Sequence, residues 1–458
     1  RKNDQMNSKS RTASFNMTEG SILRNLLIFA APVLIGNIFQ QLYNVADTAI
    51  IGNILGDHAL AAVGASSPVY GLLISFSNGV ANGFAVIIAR YFGAQNEREL
   101  KKSIALTYLL SAVMAVILTV TFVAALHPLM KVLKTPDDII GETENYLRII
   151  MLFSAVTVTY NMLAAMMRAV GNSRAPLYFL IVSTIVNIGL DFLFVKGFGM
   201  GISGAAYATV ISQMISVVLC FVYAWKKCRF LIFDRLELVF DKALLSDLIS
   251  TGSAMGLMHG VVQIGSVILQ SGVNSFGTAT VTAHTAGRKI DEIFMLPLGT
   301  ISMSAATFTS QNYGAGKMDR VKKGILCSIM IAEVWSVIAL TAALLFRNPF
   351  VKALSGSTDE YILSTASKYI IINVAFFFIL DVLLVLRSSL QGVGRKIVPI
   401  TGSIMELLLK LVTVTILAPK LGYLGICITE PVIWCVCACI VLVDYFIFMK
   451  SLKTKTAE

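Results

Sequence analysis

The stretch that decides the fold class is residues 104–126, which read IALTYLLSAVMAVILTVTFVAAL without one charged side chain. About 20 such residues, rising 1.5 Å each along a helix, cross the roughly 30 Å hydrocarbon core of a bilayer. The whole chain has the same character: 56% of its 458 residues are hydrophobic and 14% are charged, whereas soluble domains carry about 25% charged residues. We therefore expect an all-α integral membrane protein, which excludes cytosolic enzymes, secreted modules and disordered scaffolds.

Hydropathy over windows of about 19 residues predicts twelve transmembrane helices. Segments on the side of both predicted termini hold 26 of the 37 Lys and Arg residues. The positive-inside rule then places both termini in the cytoplasm and makes this a multi-pass protein of the cell (plasma or inner) membrane. The net charge of +11 is thus a signal of topology, and no nucleic-acid partner is expected. The spans centre near Gly36, Leu73, Ala115, Val156, Thr184, Ser212, Val262, Thr300, Ile331, Phe376, Leu408 and Cys437.

The chain also contains an internal repeat. YFGAQ at 91–95 resembles NYGAG at 312–316, an offset of 221 in the numbering, and Gly171 recurs as Gly394 at an offset of 223. Each copy holds six spans, an even number, so both copies enter the membrane from the same side. We predict two parallel-repeat six-helix bundles, which is the architecture of an alternating-access transporter.

This repeat predicts two lobes and three cytoplasmic segments. They are an N-terminal segment (1–24), an N-lobe with spans 1–6 (25–226), a linker (227–244), a C-lobe with spans 7–12 (245–449) and a tail (450–458).

Polar residues lie inside several predicted spans, where lipid would not accept them. In the first span Gln40, Asn44 and Asp47 fall on one helical face. In the fifth span Asn187 and Asp191 are four residues apart and so also share a face. An ionisable side chain at this depth costs several kcal/mol and marks a functional site. Thr209 adds a hydroxyl in the sixth span, and Tyr146 is expected to open the fourth.

Two kinds of chemistry suit these residues. A carboxylate beside another carboxylate in an apolar setting can carry a proton. The same carboxylate, amide and hydroxyl oxygens can instead coordinate a hard cation such as sodium. If sodium is the coupling ion, Asp47, Asn187, Asp191 and Thr209 are its expected metal ligands. Hydrogen bonding between helices is the ordinary alternative for Asn187 and Thr209.

The second half does not copy this chemistry. At an offset of 221, Asn187 maps to Leu408 and Asp191 to Val412. Asp381 either binds a cationic substrate or pairs with Arg387. The other charges are expected to neutralise one another: Glu406 with Lys410, which are four residues apart, and the group Arg288, Lys289, Asp291 and Glu292.

Three residues of the seventh span are candidates for the substrate cavity, together with four polar residues of other spans: Gln40, Asn44, Tyr146 and Asp381. Met255 and Met258 offer an adaptable apolar wall for flat hydrophobic ligands, and His259 is a weaker candidate beside them. The sequence has no GxxxxGK[ST] loop for ATP and no HExxH or GxSxG motif of a hydrolase. We expect no enzyme activity, no cofactor other than H⁺ or Na⁺ as the coupling ion, and no obligatory protein partner.

Several motifs together resemble the multidrug and toxic compound extrusion (MATE) family over nearly the whole chain. These motifs are Pro32-Val33-Leu34, Gln40-Gln41-Leu42-Tyr43-Asn44-Val45-Ala46-Asp47-Thr48, Ala89-Arg90-Tyr91-Phe92-Gly93-Ala94, Arg168-Ala169-Val170-Gly171-Asn172 and Thr309-Ser310-Gln311-Asn312-Tyr313-Gly314-Ala315-Gly316.

The resemblance implies two lobes around a central cavity and export of small organic cations against a sodium or proton gradient. It places the family's first-helix aspartate on Asp47, the Asn-xxx-Asp pair of the fifth helix on Asn187 and Asp191, and the tenth-helix aspartate on Asp381. The seventh helix departs from the pattern because Gly252 to His259 contains no glutamate. The resemblance therefore favours the first-lobe site around Asp47 over a second-lobe site for coupling.

The leading hypothesis is a secondary antiporter that exports amphipathic organic cations in exchange for protons or sodium ions. The alternative is a flippase for a lipid-linked substrate in a related two-lobe fold. The two differ in the expected cavity lining: a flippase for a polyanionic lipid calls for Arg and Lys, whereas the candidate residues here are Asp, Asn and Gln.

Overall fold

The computed structural model describes residues 14–133, 135–233 and 239–455. Within those ranges every regular element is a helix. Ten of these helices are individually long and apolar enough to cross a membrane, and two bent helix pairs raise the number of spans to as many as twelve. The prediction of an all-α membrane protein with twelve spans is confirmed.

The first of two compact units contains residues 14–17 and 31–256. Most of the predicted linker between the lobes falls in this unit, although residues 234–238 lie outside the described ranges. The helices of the first half are α1 Ile22–Leu55, α2 Asp57–Gly93, α3 Glu97–Val132, α4 Asp137–Leu152, α5 Ser154–Ala169, α6 Arg174–Asp191 and α7 Gly201–Lys227.

The second compact unit contains residues 18–30 and 257–455. Its main apolar core includes the fully buried side chain of Phe377 and the nearly buried Trp434. The helices of the second half are α8 Lys242–Asn274, α9 Thr278–Gly314, α10 Met318–Ser355, α11 Glu360–Ala375, α12 Phe377–Gly392, α13 Ile397–Val412, α14 Ala418–Leu421, α15 Tyr423–Cys427 and α16 Thr429–Lys455.

The internal repeat is visible in the shapes of the helices. The fourth span bends by 51° between α4 and α5, and the tenth bends by 50° between α11 and α12. The two bends fall at Phe153 and Phe376, which are related by the same offset of 223 as Gly171 and Gly394. Each half also interrupts a span with a π-helical turn, Phe192–Gly197 after α6 and Thr413–Leu417 after α13. Such turns are rare and are frequent at functional sites.

Small residues allow α8 to approach α2 closely within the first unit. A Cβ atom on Gly83 would lie 2.7 Å from the Cα atom of Gly252, and one on Gly256 would lie 2.5 Å from Cγ2 of Val80. Contacts of this kind are typical of membrane helices, whose association depends on close packing of backbones. They fix the beginning of α8 to the first unit.

We expect Gly83→Ala to destabilise the protein, because the new methyl group would meet backbone atoms that cannot move aside. Overpacking of this kind costs about 1–3 kcal/mol. Gly64→Ala is the matched control, since it lies on the same helix and its Cβ would meet nothing within 4 Å. The measurement is the thermal unfolding midpoint of both purified variants in detergent. Equal midpoints would contradict the close α2–α8 contact.

Candidate functional site

Two carboxylates meet in the interior of the first unit. Asp47 projects from α1 and is 8% exposed, and Asp191 is the last residue of α6 and is fully buried. Their carboxyl groups interact directly with one another. Two acids in contact away from water repel each other when both are charged, so the pair favours a state in which a cation is bound between them.

The polar atoms around these acids are not satisfied by the described residues. Oδ1 of Asp47, both carboxylate oxygens of Asp191 and both side-chain polar atoms of Asn187 are buried without a hydrogen-bond partner there. Buried polar groups almost always have partners, and leaving them without one costs free energy. Five such atoms at neighbouring positions therefore mark a place that takes up a proton, an ion or water.

A group of hydroxyls lies against the acid pair. The Tyr43 hydroxyl is 3.1 Å from Oγ1 of Thr209, and Tyr43 also lies near Asp47, Tyr70 and Tyr146. Thr209 therefore joins the site through Tyr43. The predicted members Asp47, Asn187, Asp191 and Thr209 all lie in the interior of one unit.

Sequence reasoning missed Tyr43, Tyr70 and Gln213. Tyr43 lies one helical turn before Asp47 and could have been found from that spacing. Tyr70 interacts with Gln213, whose Oε1 accepts a 2.7 Å hydrogen bond from Oγ1 of Thr157. No sequence signal distinguishes Tyr70 and Gln213 from ordinary residues of a helix bundle.

The expectation that Tyr146 opens the fourth span was wrong. The helix begins at Asp137, so Tyr146 lies more than two turns inside it. Its ring is buried and its hydroxyl is near both Asp47 and Asp191. Tyr146 is therefore a buried neighbour of the acid pair.

The remaining polar residues of α1 differ from Asp47 in burial. Gln40 and Asn44 are exposed, whereas Asp47 is buried. The predicted polar face therefore has a buried end at the acid pair and an exposed stretch that lies about one to two helical turns earlier in the chain. Only its buried end has the surroundings of a cation site.

The candidate substrate residues near the seventh span differ in their surroundings. Met255 and Met258 are both buried, at 8% and 5% exposure, and His259 is half-buried. The sulfur atom of Met258 accepts a hydrogen bond of 3.2 Å from Nε2 of Gln391. Met258 is thus held in the interior of its unit.

Asp381 is buried in the second unit and is bound by a hydroxyl. Its Oδ2 atom accepts a 2.6 Å hydrogen bond from Ser336, and its Oδ1 atom has no partner among the described residues. The ion pairs of the described ranges do not include Asp381 with Arg387. The pairing alternative is therefore not seen, and an unneutralised carboxylate remains.

The donor set at the acid pair has limits. In the described portion of the chain, no group of three or more His, Cys, Asp or Glu side chains is arranged to hold a metal ion. Two carboxylates, one amide and hydroxyls are suited to a proton or to a weakly bound hard cation such as sodium. Both kinds of chemistry remain open at this site.

The fold and the buried acids together define a class of protein. As many as twelve membrane spans, arranged in two sequence-related halves with carboxylates held in the interior, are the features of a secondary membrane transporter. Comparisons with known proteins agree with this conclusion. The sequence matches the MatE family twice, over residues 32–193 and again over 255–416, so that the second match repeats the first at the offset of 223.

The chain belongs to the multidrug and toxic compound extrusion (MATE) family, whose members are transporters and not enzymes. It is 27% identical over 394 residues to the probable multidrug resistance protein YoeA of Bacillus subtilis (strain 168), covering 84% of this chain and 85% of that one. It is 32% identical over 315 residues to the probable multidrug resistance protein YpnP of the same strain, covering 67% and 69%. A crystal structure described as MATE in the bent conformation shares the fold, with a TM-score of 0.88, 21% identity and coverage of 96% and 98%.

We expect Tyr43→Phe to weaken cation binding at the acid pair, because it removes the hydroxyl that is 3.1 Å from Thr209. Loss of one hydrogen bond of about 0.5–1.5 kcal/mol corresponds to roughly two- to tenfold weaker binding. The measurement is the dependence of the unfolding midpoint on Na⁺ and on pH. Tyr178→Phe, an exposed tyrosine of α6, is the control and should match wild type. An unaltered cation response in Tyr43→Phe would remove Tyr43 from the site.

Proposed function

We propose that this transporter exports amphipathic organic cations in exchange for protons or sodium ions, and that coupling takes place at Asp47 and Asp191. The observation that carries the proposal is the buried contact between these two acids, together with five neighbouring polar atoms that lack partners among the described residues. Membership of a transporter family supports transport as the activity, and the acid pair is the group that we propose binds the coupling cation.

The acid pair responds to cation binding for an electrostatic reason. An uncompensated charge in a buried position costs several kcal/mol, and a bound cation of opposite charge removes much of that cost. The loaded and the empty pair therefore prefer different surroundings: the loaded pair tolerates a dry, closed interior, and the empty pair favours access to water. Cation binding therefore shifts the equilibrium between the two conformations.

Exchange follows when substrate and cation favour opposite conformations. A ligand shifts an equilibrium only by its difference in affinity for the two states. A coupling free energy of about 1–3 kcal/mol is typical, and it acts equally in both directions. Cation entering at the acid pair would then promote substrate release, and substrate binding would promote cation release. Alternating access of two lobes is the motion that we propose for this exchange.

Two observations support the proposed substrate: the first concerns its chemical breadth, and the second its positive charge. The relatives YoeA and YpnP are described as probable multidrug resistance proteins. In this chain Asp381 is a buried carboxylate whose hydrogen-bond partner among the described residues is Ser336, at Oδ2, and it offers a counter-charge to a positively charged ligand. We further propose the cell membrane as the location, with both termini in the cytoplasm because of the Lys and Arg distribution.

We expect Asp47→Asn to abolish gradient-driven export while the protein stays folded, because the amide cannot carry the exchanged charge. The measurement is ethidium efflux from proteoliposomes under an imposed proton gradient and, separately, a sodium gradient. Asp57→Asn is the matched control, since it removes an exposed carboxylate from the first turn of the next helix. Gel filtration of each variant checks the fold.

Each outcome of this experiment has a distinct meaning. Efflux driven by one gradient and lost only in Asp47→Asn would support the proposal and name the ion. Efflux unchanged in Asp47→Asn would overturn coupling at the acid pair. A wild-type protein that fails to move ethidium under either gradient, but translocates lipid-linked substrates, would favour the flippase instead.

A further inference from the structure

The second half of the chain contains a charged cluster, with Asp291 and Lys410 buried, at positions that correspond to the surroundings of the cation site of the first half. The helix bounds give the correspondence: α4 and α11 begin at positions related by the offset of 223, as do α6 and α13. At this offset Tyr146 corresponds to Tyr369. Asn187 corresponds to Lys410 and not to Leu408, which corrects the expectation from the sequence alone.

The other two helices of the cluster are α9 and α16, and their residues correspond to first-half residues at an offset of 221. Helices α2 and α9 begin at positions related in this way, Asp57 and Thr278. Tyr70 then corresponds to Asp291, and Thr209 corresponds to Glu430. Four site positions of the first half thus have charged or phenolic counterparts in the second half. The acids Asp47 and Asp191 lie on α1 and α6, whereas Asp291 and Glu430 lie on α9 and α16. Sequence comparison of these acids alone therefore does not reveal the equivalence.

Lys410 is a permanent cation within this cluster. Its Nζ atom is 2.8 Å from Oε1 of Glu406 and 3.1 Å from Oε1 of Glu430, and its side chain is 2% exposed. Gly265 leaves room for the lysine stem, because a Cβ atom there would lie 2.9 Å from Cδ of Lys410. The sequence predicted the pair with Glu406, but not the second carboxylate, from α16.

Asp291 is the member of the cluster that forms no salt bridge within the described ranges. It is 5% exposed, and its Oδ1 atom has no hydrogen-bond partner among the described residues. The neighbouring cations pair elsewhere: Nε of Arg288 is 3.2 Å from Glu292, and Nζ of Lys289 is 3.1 Å from the same carboxylate. The charges that act on Asp291 are those of the acids Glu430 and Glu292 and of the Arg288 guanidinium.

The salt bridges show which charge is left out. Arg288 and Lys289 bind Glu292, and Lys410 binds Glu406 and Glu430. Asp291 takes part in none of these bridges. A monovalent cation beside Asp291 would neutralise it, and Glu430, the acid that repels it most strongly, would share that cation.

We propose that the second half carries its own monovalent-cation site, formed by Asp291 and Glu430, with Lys410 as a fixed counter-charge beside it. The ligand is a shared proton or a sodium ion. The hydroxyl of Tyr369 lies near both acids and completes the set of ligands. This site is separate from Asp381, whose neighbours are Ser336 and Glu333, and it goes beyond the proposed coupling at Asp47.

The groups that face the site come from four helices. On α9 they are Arg288 and Glu292, on α11 Tyr369, on α13 Lys410 with Glu406, and on α16 Glu430. His284 lies behind Tyr369, against its ring at 4.8 Å between centroids, and its Nδ1 atom is 3.1 Å from the Tyr423 hydroxyl. Arg387 of α12 is a further cation of this region, since it acts on Cys437 together with Glu406, Glu430 and Lys410.

The test uses the full chain with the first site disabled. In an Asp47→Asn/Asp191→Asn/Asp381→Asn background, which also removes the buried carboxylate beside Ser336, the unfolding midpoint is measured against Na⁺, with K⁺ keeping ionic strength constant, and against pH without Na⁺. Ligand bound only by the folded state raises stability in proportion to ln(1 + [L]/Kd). We expect a cation response to remain in the background and to disappear when Asp291→Asn is added.

Controls separate the site from general effects of charge. Glu430→Gln should act like Asp291→Asn, and it carries the test if Asp291→Asn does not fold. Glu333→Gln removes an acid of the same half that lies outside the cluster and should leave the response unchanged.

Lys410→Met removes a fixed positive charge from the cluster, so the unfolding midpoint of this variant should depend more steeply on cation concentration. A rise with Na⁺ identifies sodium, and a fall as pH rises in the absence of Na⁺ identifies the proton.

Two results would overturn the proposal. One is a background without any cation response. The other is a response that survives both Asp291→Asn and Glu430→Gln. The readout is binding and not transport, so a failure of coupling at Asp47 would leave this test intact, and a failure here would not affect the efflux experiment.

Discussion

The contact between Asp47 and Asp191 is the constraint on which the rest of the site depends. Two acids cannot both stay charged in a dry interior without help, because burial removes the solvation that stabilises each charge. The surrounding residues respond to this constraint. Tyr43, Tyr70 and Tyr146 close around the acids as neutral hydroxyls and add no fixed positive charge. A site built in this way stays open to a mobile cation.

The second half resolves the same constraint differently. Where the first half has Asn187, the second half has Lys410, an ammonium group that belongs to the chain itself. Its two salt bridges hold Glu406 and Glu430 in place. The ammonium group of Lys410 neutralises acids of the second half permanently, and Asp291 stays outside the salt bridges of the described residues. The first half keeps both of its acids available. The duplicated halves have therefore diverged in the source of the positive charge: the second half uses a lysine of the chain itself, and the first half depends on a mobile cation.

Much of the architecture could be predicted from the sequence, because apolar length and the repeat offset are strong signals. Asp47, Asn187 and Asp191 were found because polar residues stand out within apolar runs. Tyr43 and Tyr70 were not, since tyrosine is common in membrane helices. The start of the fourth span was misplaced because the acids from Asp137 to Glu144 look like a loop, although acids suit the first turns of a helix. The Lys410–Glu430 pair joins different helices, so no local pattern reveals it.

The π-helical turns that follow α6 and α13 have a consequence for the divergence of the two halves. The repeat offset is 223 where α6 and α13 begin but 221 at Gly201 and Gly422, just beyond the turns. The second copy is thus two residues shorter across this short segment, and its π turn has five residues where the first has six. A wide turn absorbs a change in chain length while the helices on either side keep their partners. Insertions and deletions can therefore accumulate at this point of a membrane-embedded helix, as they ordinarily do in loops.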